Sequence, residues 1–312
     1  MNSVIHKPPH GSAEWLAVRW ETETGEKRLA ASECAAIYGL HPYKSISDLT
    51  AELLAPKPPT PQAPTQAMER GNRLEEPIRQ WASDMYGMRI QVPGLLYCYD
   101  QEAAHLIATL DGRSEDLSIH EFKTTTNEWT GTLPPHWYYQ GVQQALCADE
   151  TQVHWWVFDK TQTLHHHIQY VDWETKRNHI EAAKEFLIAI NRGQLPEGVQ
   201  FGYDHMGKIY PEAHNETVEL NENIVELLDL LDKAKTHKTH WEQEEDKVKA
   251  LIAEHLGGAT VGTLNGDTIV TWKQQTRTSV DTKGLALAHP DLVKRFEKNS
   301  TFRVLRITRK GK

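Results

Sequence analysis

The chain has 312 residues, 39% of them hydrophobic and 25% charged, the composition of a folded globular protein and not of a disordered one. The length suits one large domain or one domain with an appendage. No apolar run nears the ~20 residues that span a bilayer, and the N-terminus lacks the apolar stretch of a secretion signal, so no membrane contact and a cytoplasmic location are expected. A net charge of −9 excludes a protein that coats nucleic acid indiscriminately, so any DNA binding must come from local basic features.

In chain order, residues around Trp15–Arg19 and Ser32–Tyr38 read as short helices. Ser32 is placed as the N-cap of the second and Gly39 as its end. Ser47 is placed as the cap of a further helical piece, DLTAELL. The proline-rich segment 56–65 predicts an irregular surface loop. Thr65 opens a long helix to about Tyr86, with Met68, Leu74, Ile78, Trp81 and Met85 at helical spacing. After Gly87 the signal turns to strands: IQVPGLLYCYD, AHLIATLDG and DLSIHEFKT. Pro134-Pro135 opens a helix through HWYYQGVQQALCA. VHWWVFD and HHHIQYVD follow as strands, then a helix over about 174–192 closed by Gly193. This order predicts a mixed α/β sheet with helices on its faces.

Residues 194–216 read as a Gly- and Pro-containing connector. A long charged helix is expected over about 218–256, with an apolar seam including Leu220, Ile224, Leu227, Leu231, Val248, Leu251 and Ile252. It fits either a coiled-coil-like arm or a helix laid on the body. A hairpin around Asn265-Gly266 comes next. From Lys294 onward the tail is basic, with Arg303, Arg306, Arg309, Lys310 and Lys312 among its cations, and Arg303–Arg306 read as a strand. Cys34, Cys98 and Cys147 are scattered, form no C-x-x-C pair, and read as buried free thiols. His165-His166-His167 alternate faces on a strand, which argues against a metal site there.

Glu121 and Lys123, two residues apart at a strand end, point to one face. Asp111-Gly112 closes the preceding strand, and a turn at RSED would bring Asp111 beside Glu121. Two carboxylates at one spot repel unless a cation lies between them. Hard oxygen ligands suit Mg²⁺, with Mn²⁺ as the alternative, and an adjacent Lys can orient and help deprotonate a water. Those are the needs of phosphodiester hydrolysis. Glu174/Lys176 and Glu245/Lys247 repeat the spacing on expected helices, where the two side chains diverge.

Asp111 followed by Glu121-x-Lys123 resembles the PD-(D/E)xK nuclease motif, with Leu110 in place of the usual Pro. More specifically, residues 12–195 are similar to the phage lambda exonuclease / YqaJ viral recombinase family. The similarity rests on Trp15-Leu-Ala-Val-Arg19, Ala31-Ser32-Glu33, Arg70-Gly71-Asn-Arg-Leu-Glu75, Thr109 two residues before Asp111, and the helix Tyr138-Tyr139-Gln140-Gly141-Val142-Gln143-Gln144.

The resemblance implies a restriction-endonuclease-like core over residues 1–210, with a central mixed sheet flanked by helices. A C-terminal extension over 211–312, made of the long helix and a small basic β element, would complete the chain. It implies that Glu75, Asp111 and Glu121 hold one or two Mg²⁺ ions with the Phe122 carbonyl, that Lys123 activates the water, and that the motif Gln braces it. That Gln falls on Gln140; a gapless match on the apolar positions would put Gly141 there and keep Gln143. Glu76 reads as a solvated neighbour of Glu75. Arg19, Ser32 and Thr109 match positions that hold a 5′-terminal phosphate, with Trp15 stacked on or packed behind the end nucleotide. A guanidinium fork suits the phosphate.

The implied activity is Mg²⁺-dependent 5′-to-3′ resection of linear duplex DNA, leaving a 3′ single strand for a single-strand annealing protein in phage or prophage recombination. The implied assembly is a ring-shaped homo-oligomer, a trimer. Two rivals are an endonuclease of the same fold acting in restriction or repair, and a catalytically dead DNA-binding or assembly module. An end-phosphate pocket argues against the first and the intact Glu75, Asp111, Glu121 and Lys123 against the second.

Overall fold

In the computed structural model, which describes residues 2–101, 103–298 and 301–308, the chain divides into two units. The first runs to Ala213 and takes in residues 302–308; the second is His214–Thr301. The sequence reading places 211–312 in the extension.

The first unit begins with β1 (Ser3–His6), α1 (Ala13–Trp20), β2 (Leu29–Ala30), a 3₁₀ turn (Cys34–Tyr38), α2 (Ile46–Leu54) and α3 (Gln66–Tyr86). Five strands follow: β3 (Ile90–Gln91), β4 (Leu95–Gln101), β5 (Ala104–Thr109), β6 (Gly112–Ser114) and β7 (Ile119–Thr124). Then come α4 (Pro135–Cys147), β8 (Gln152–Phe158), β9 (Leu164–Tyr170), α5 (Trp173–Asn191) and α6 (Tyr203–Ile209). The mixed α/β architecture is present, but as two sheets. One has the order β1-β4-β5-β2 and the other β3-β6-β7-β8-β9. Among the described residues only β2–β5 and β7–β8 pair parallel.

The segment AHLIATLDG is therefore not one strand. It leaves the first sheet at Thr109 and joins the second at Gly112, so Asp111 sits in the link between sheets. Gly112 is required there: a Cβ would lie 2.5 Å from Ile90 and 3.3 Å from both His120 and Phe122. Strand alternation sorts β7 and β8 onto two faces. Phe122 and Trp156 pack with Ile78 and Ala82 of α3. Ile119, Val153, Trp155 and Val157 pack with α4 and α5. Glu121 and Lys123 thus face α4.

Thr65 caps α3 and Gly87 ends it in the left-handed region, as its position after the last apolar residue predicts. The buried stripe of α3 is narrower than expected. Ile78 and Ala82 are buried, while Met68, Trp81 and Met85 are 56%, 45% and 52% exposed. Ser32 and Ser47 are not caps. The 3₁₀ turn starts after Glu33 with no side-chain cap, and α2 is capped by Ser45 in a capping box with Asp48. Ser47 instead donates to the Gln200 carbonyl at 2.7 Å. The connector after α5 contains α6, whose His205 meets Asp48 at 3.1 Å. The three cysteines are buried and free.

The second unit holds α7 (Asn223–Leu256), a hairpin of β10 (Val261–Leu264) and β11 (Asp267–Thr271), α8 (Thr282–Ala288) and α9 (Pro290–Phe296). Asn265 and Gly266 turn the hairpin at φ 52° and 93°. The expected strand over Arg303–Arg306 is absent. That stretch docks instead on the α6 region of the first unit, Arg303 donating to the Tyr210 carbonyl at 3.3 Å and Tyr203 to the Arg303 carbonyl at 3.3 Å. Arg309, Lys310 and Lys312 lie outside the described residues. Among the described residues no helix is long and apolar enough to cross a membrane.

Candidate active site

A cleft of about 440 Å³ is lined by Trp15 and Arg19 of α1, Ser32, Glu75 of α3, Thr109, Asp111, Glu121 and Lys123 of β7, and Gln140 of α4. Lys7, His10, Ala31 and Asn72 complete its wall. Every side chain that the sequence assigned to catalysis or end binding reaches this one cleft. Phe122, assigned through its carbonyl, turns its ring to the opposite face of β7, and its backbone N–H donates to Asp111 Oδ2 at 3.2 Å.

Glu121 is the hub. It is 2% exposed; its Oε1 accepts from Lys123 Nζ at 2.7 Å and from Gln140 Nε2 at 2.5 Å. Gln140 Oε1 in turn accepts from Lys123 at 3.1 Å. Glu121 Oε2 accepts from Gln144 Nε2 at 2.7 Å, and the same amide donates to the Thr109 carbonyl at 3.0 Å. Gln144 therefore ties the carboxylate to the end of β5. The sequence reading assigned Gln144 no role, although i,i+4 spacing from Gln140 puts both amides on one helix face.

The candidates for the motif Gln differ in their contacts. Gln143 points into the core, where Nε2 donates to the carbonyls of Leu29 and Ile107 at 2.7 and 3.0 Å. Gly141 lies against Trp155 and Gln169, so close that a Cβ would come within 2.9 Å of the indole. Gln140 alone of these positions touches Lys123. Glu76 points away from the cleft and pairs with Arg79.

Burial, then repulsion from Glu121, pushes the Asp111 carboxyl well above its usual range, against the pull of Lys123. Glu75 is raised for the same two reasons. For Lys123, burial favours the neutral amine, but Glu121 and Asp111 outweigh it and hold the pKa above its ordinary value. Three carboxylates line the cleft beside Lys123, and hard oxygens are the donors that Mg²⁺ or Mn²⁺ takes. Among the described residues no three His, Cys, Asp or Glu side chains are grouped closely enough to hold an ion together; the Glu121 carboxylate is taken up by Lys123, Gln140 and Gln144.

The other wall of the cleft is cationic. Arg19 lies over the Trp15 ring at 4.1 Å and donates to Ser32 Oγ at 2.8 Å. His10 packs on the other contact of Trp15, ring centroids 4.5 Å apart. Its pKa is lowered by burial and by the charges of Lys7 and Arg19. Trp15 Nε1 and Thr109 Oγ1 are buried with no hydrogen-bond partner, a state that costs ~1–3 kcal/mol each. Lys7 and His10 carry no motif that could have flagged them. His165, His166 and His167 do not converge: His165 meets Asp159 at 3.1 Å, His166 stacks on Trp156, and His167 lies edge-on to Trp129.

The family model of the YqaJ-like viral recombinase domain matches residues 14–155, from α1 to β8. Among solved structures the chain is similar to the alkaline exonuclease LHK-Exo from Laribacter hongkongensis, with 20% identity over 58% of this chain and 93% of that one and a TM-score of 0.47. The same enzyme in complex with dAMP matches at 21% identity over the same shares, TM-score 0.47. A phage-related exonuclease from Haemophilus somnus 129PT matches at 11% identity over 53% of this chain and 95% of that one, TM-score 0.38. No curated protein matches the chain.

Proposed function

We infer that this chain, whose residues 14–155 match the family model of the YqaJ-like viral recombinase domain, is a metal-dependent DNA exonuclease that resects linear duplex from the 5′ end. The observation that carries this reading is the cleft itself: an acidic, lysine-bearing wall faces a cationic, hydroxyl-bearing one within a single pocket. A phosphodiester nuclease needs the first. Only an enzyme that reads a terminal phosphate has use for the second.

Mg²⁺ or Mn²⁺, held by Glu75, Asp111 and Glu121, would supply charge neutralisation at the scissile phosphate and a more acidic water. The chain's own groups do the rest. Lys123, held in place by Glu121 and Gln140, carries a donor at the position where the attacking water is oriented. Gln144 fixes the second Glu121 oxygen, so the carboxylate cannot rotate away. Arg19 and Ser32 take the 5′-terminal phosphate, with Thr109 Oγ1 and Trp15 Nε1 as further donors. Lys7 raises the positive potential of that wall, which lets a chain of net charge −9 attract a DNA end locally. The 3′ strand left behind is a substrate for a single-strand annealing protein. A closed homo-oligomeric ring, a trimer in our reading, would keep the enzyme on its track.

Matched linear duplexes differing only in a 5′-phosphate or 5′-hydroxyl test this. A charge-assisted contact of ~1.5–3 kcal/mol corresponds to a preference of about tenfold or more for the phosphorylated end. Arg19→Ala is expected to flatten that preference while sparing hydroxyl ends. Equal rates on both ends, or ready cutting of covalently closed circles, would favour the endonuclease reading instead.

A further inference from the structure

Burial and Glu121 raise the Glu75 carboxyl, and of the cations that oppose them Lys7 acts most strongly, ahead of Arg79 and Lys123. The other two are engaged. Arg79 pairs with Glu76 and donates to the Ile90 carbonyl at 3.3 Å. Lys123 is held by Glu121 and Gln140. Lys7 is half-buried and lines the cleft, yet among the described residues its ammonium makes no hydrogen bond or ion pair.

The backbone sets where Lys7 stands. It follows β1, whose His6 pairs with Leu95 of β4, and its own N–H donates to the Gly94 carbonyl at 3.1 Å. Pro8 and Pro9 come next, and a following proline keeps the Lys7 backbone extended. His10, lowered first by burial, feels Lys7 more than Arg19. Lys7 therefore stands between the Glu75 side of the cleft and the Trp15–Arg19 side.

A strand held by its terminal phosphate on Arg19 and Ser32 offers a second phosphate to the carboxylate side. This is the first internucleotide linkage, the one that is cut. Arg19, Ser32, Thr109 and Trp15 already serve the terminal phosphate. At the linkage stands Lys123, whose ammonium is shared with Glu121 and Gln140. In hydrolysis the hydroxide of a water stays on the phosphorus. The bond to the 3′ oxygen of the terminal nucleotide breaks, and that oxygen takes the water's proton. Negative charge gathers on the non-bridging oxygens on the way, and a free ammonium beside them stabilises that charge more than the ground state.

We propose that Lys7 is a catalytic residue that donates to a non-bridging oxygen of the scissile phosphate. The proposal rests on reading the cleft as a phosphodiester hydrolase, and not on its preference for ends.

Lys7→Met keeps the apolar stem and removes the charge. Single-turnover cleavage by the full chain should slow about tenfold or more, equally on 5′-phosphate and 5′-hydroxyl duplexes, with an unchanged thermal midpoint. Lys7→Arg should recover most of the rate. Binding without metal gives a second readout. Lys7→Met should weaken binding of an ordinary duplex about threefold, and leave unchanged the binding of a duplex with a neutral methylphosphonate at the first linkage. A loss confined to phosphorylated ends would place Lys7 in the terminal-phosphate pocket and overturn the proposal. Unchanged cleavage rates, or equal weakening of both duplexes, would overturn it as well. Cutting of covalently closed circles by the wild type would refute end selection alone, because Lys7→Met should then slow the circles too.

Discussion

Lys123 answers Glu121 and Asp111, with Lys7 and Arg79 sharing Glu75, and the two kinds of charge in the cleft carry different burdens. Asp111 is buried among like charges, held by one backbone N–H. Asp111→Asn keeps that acceptor and removes a repulsion, so it should leave the thermal midpoint unchanged or higher while cutting nuclease activity about 100-fold or more. Lys123→Ala takes away the counter-ion of a carboxylate that is 2% exposed. It should lose activity by roughly 10²–10⁴ and also lower the midpoint, since an uncompensated buried charge is costly. Parallel melting and cleavage assays on the two variants check this contrast; a strongly destabilised Asp111→Asn would mean that the carboxylate serves the fold.

Among the elements, α4 does most to fix the site. It presents Gln140 and Gln144 to Glu121 on one face, while Gln143 joins β2, β5 and α5 through Leu29, Ile107 and His179. The helix can come this near to β8 and β9 only because Gly141 has no side chain, and Trp155 and Gln169, themselves hydrogen-bonded at 2.9 Å, fill the space. Gly141→Ala should push α4 outward, destabilise the chain by ~1–3 kcal/mol through overpacking, and slow cleavage although it touches no reacting group. Denaturant unfolding with single-turnover cleavage reads both effects; a silent Gly141→Ala would show that α4 has slack at this contact.

At the scale of the whole molecule, the first unit is stapled by buried neutral histidines. His179 Nε2 donates to Gln143 Oε1 at 3.0 Å, and its Nδ1 accepts from the Tyr38 hydroxyl at 2.8 Å. A second proton would break the latter bond. His154 stands in the stack of His166, Tyr86 and His120. Burial lowers both His154 and His179 to about 4, with His166 adding to the effect on His154 and Asp116 opposing it. The unfolded chain, with histidines near 6.5, therefore binds more protons than the folded one between pH 6.5 and about 4. The stability these groups contribute is fully present above 6.5 and is lost as pH falls through that window. Thermal midpoints between pH 7.5 and 4 should decline steadily below 6.5, and a flat profile there would contradict the neutral assignment.

Much of this was written locally. Thr65 and Gly87 bracket α3, Asn265-Gly266 makes its turn, and Glu121/Lys123 share a face because strand geometry alone dictates it. The cleft residues were legible through a resemblance of spaced motifs, since each needs a particular atom at a particular place. What sequence could not supply depends on distant chain. Ser32 reads as a cap until Arg19 claims its hydroxyl, and Ser47 until Gln200 does. The break at Leu110-Asp111 exists because one half of an apolar run finds partners in each of two sheets. The sequence favours Gln140 but cannot say where Gln143 and Gln144 point; that Gln143 enters the core and Gln144 joins Gln140 on Glu121 is set by how α4 packs on β5, β7 and α5.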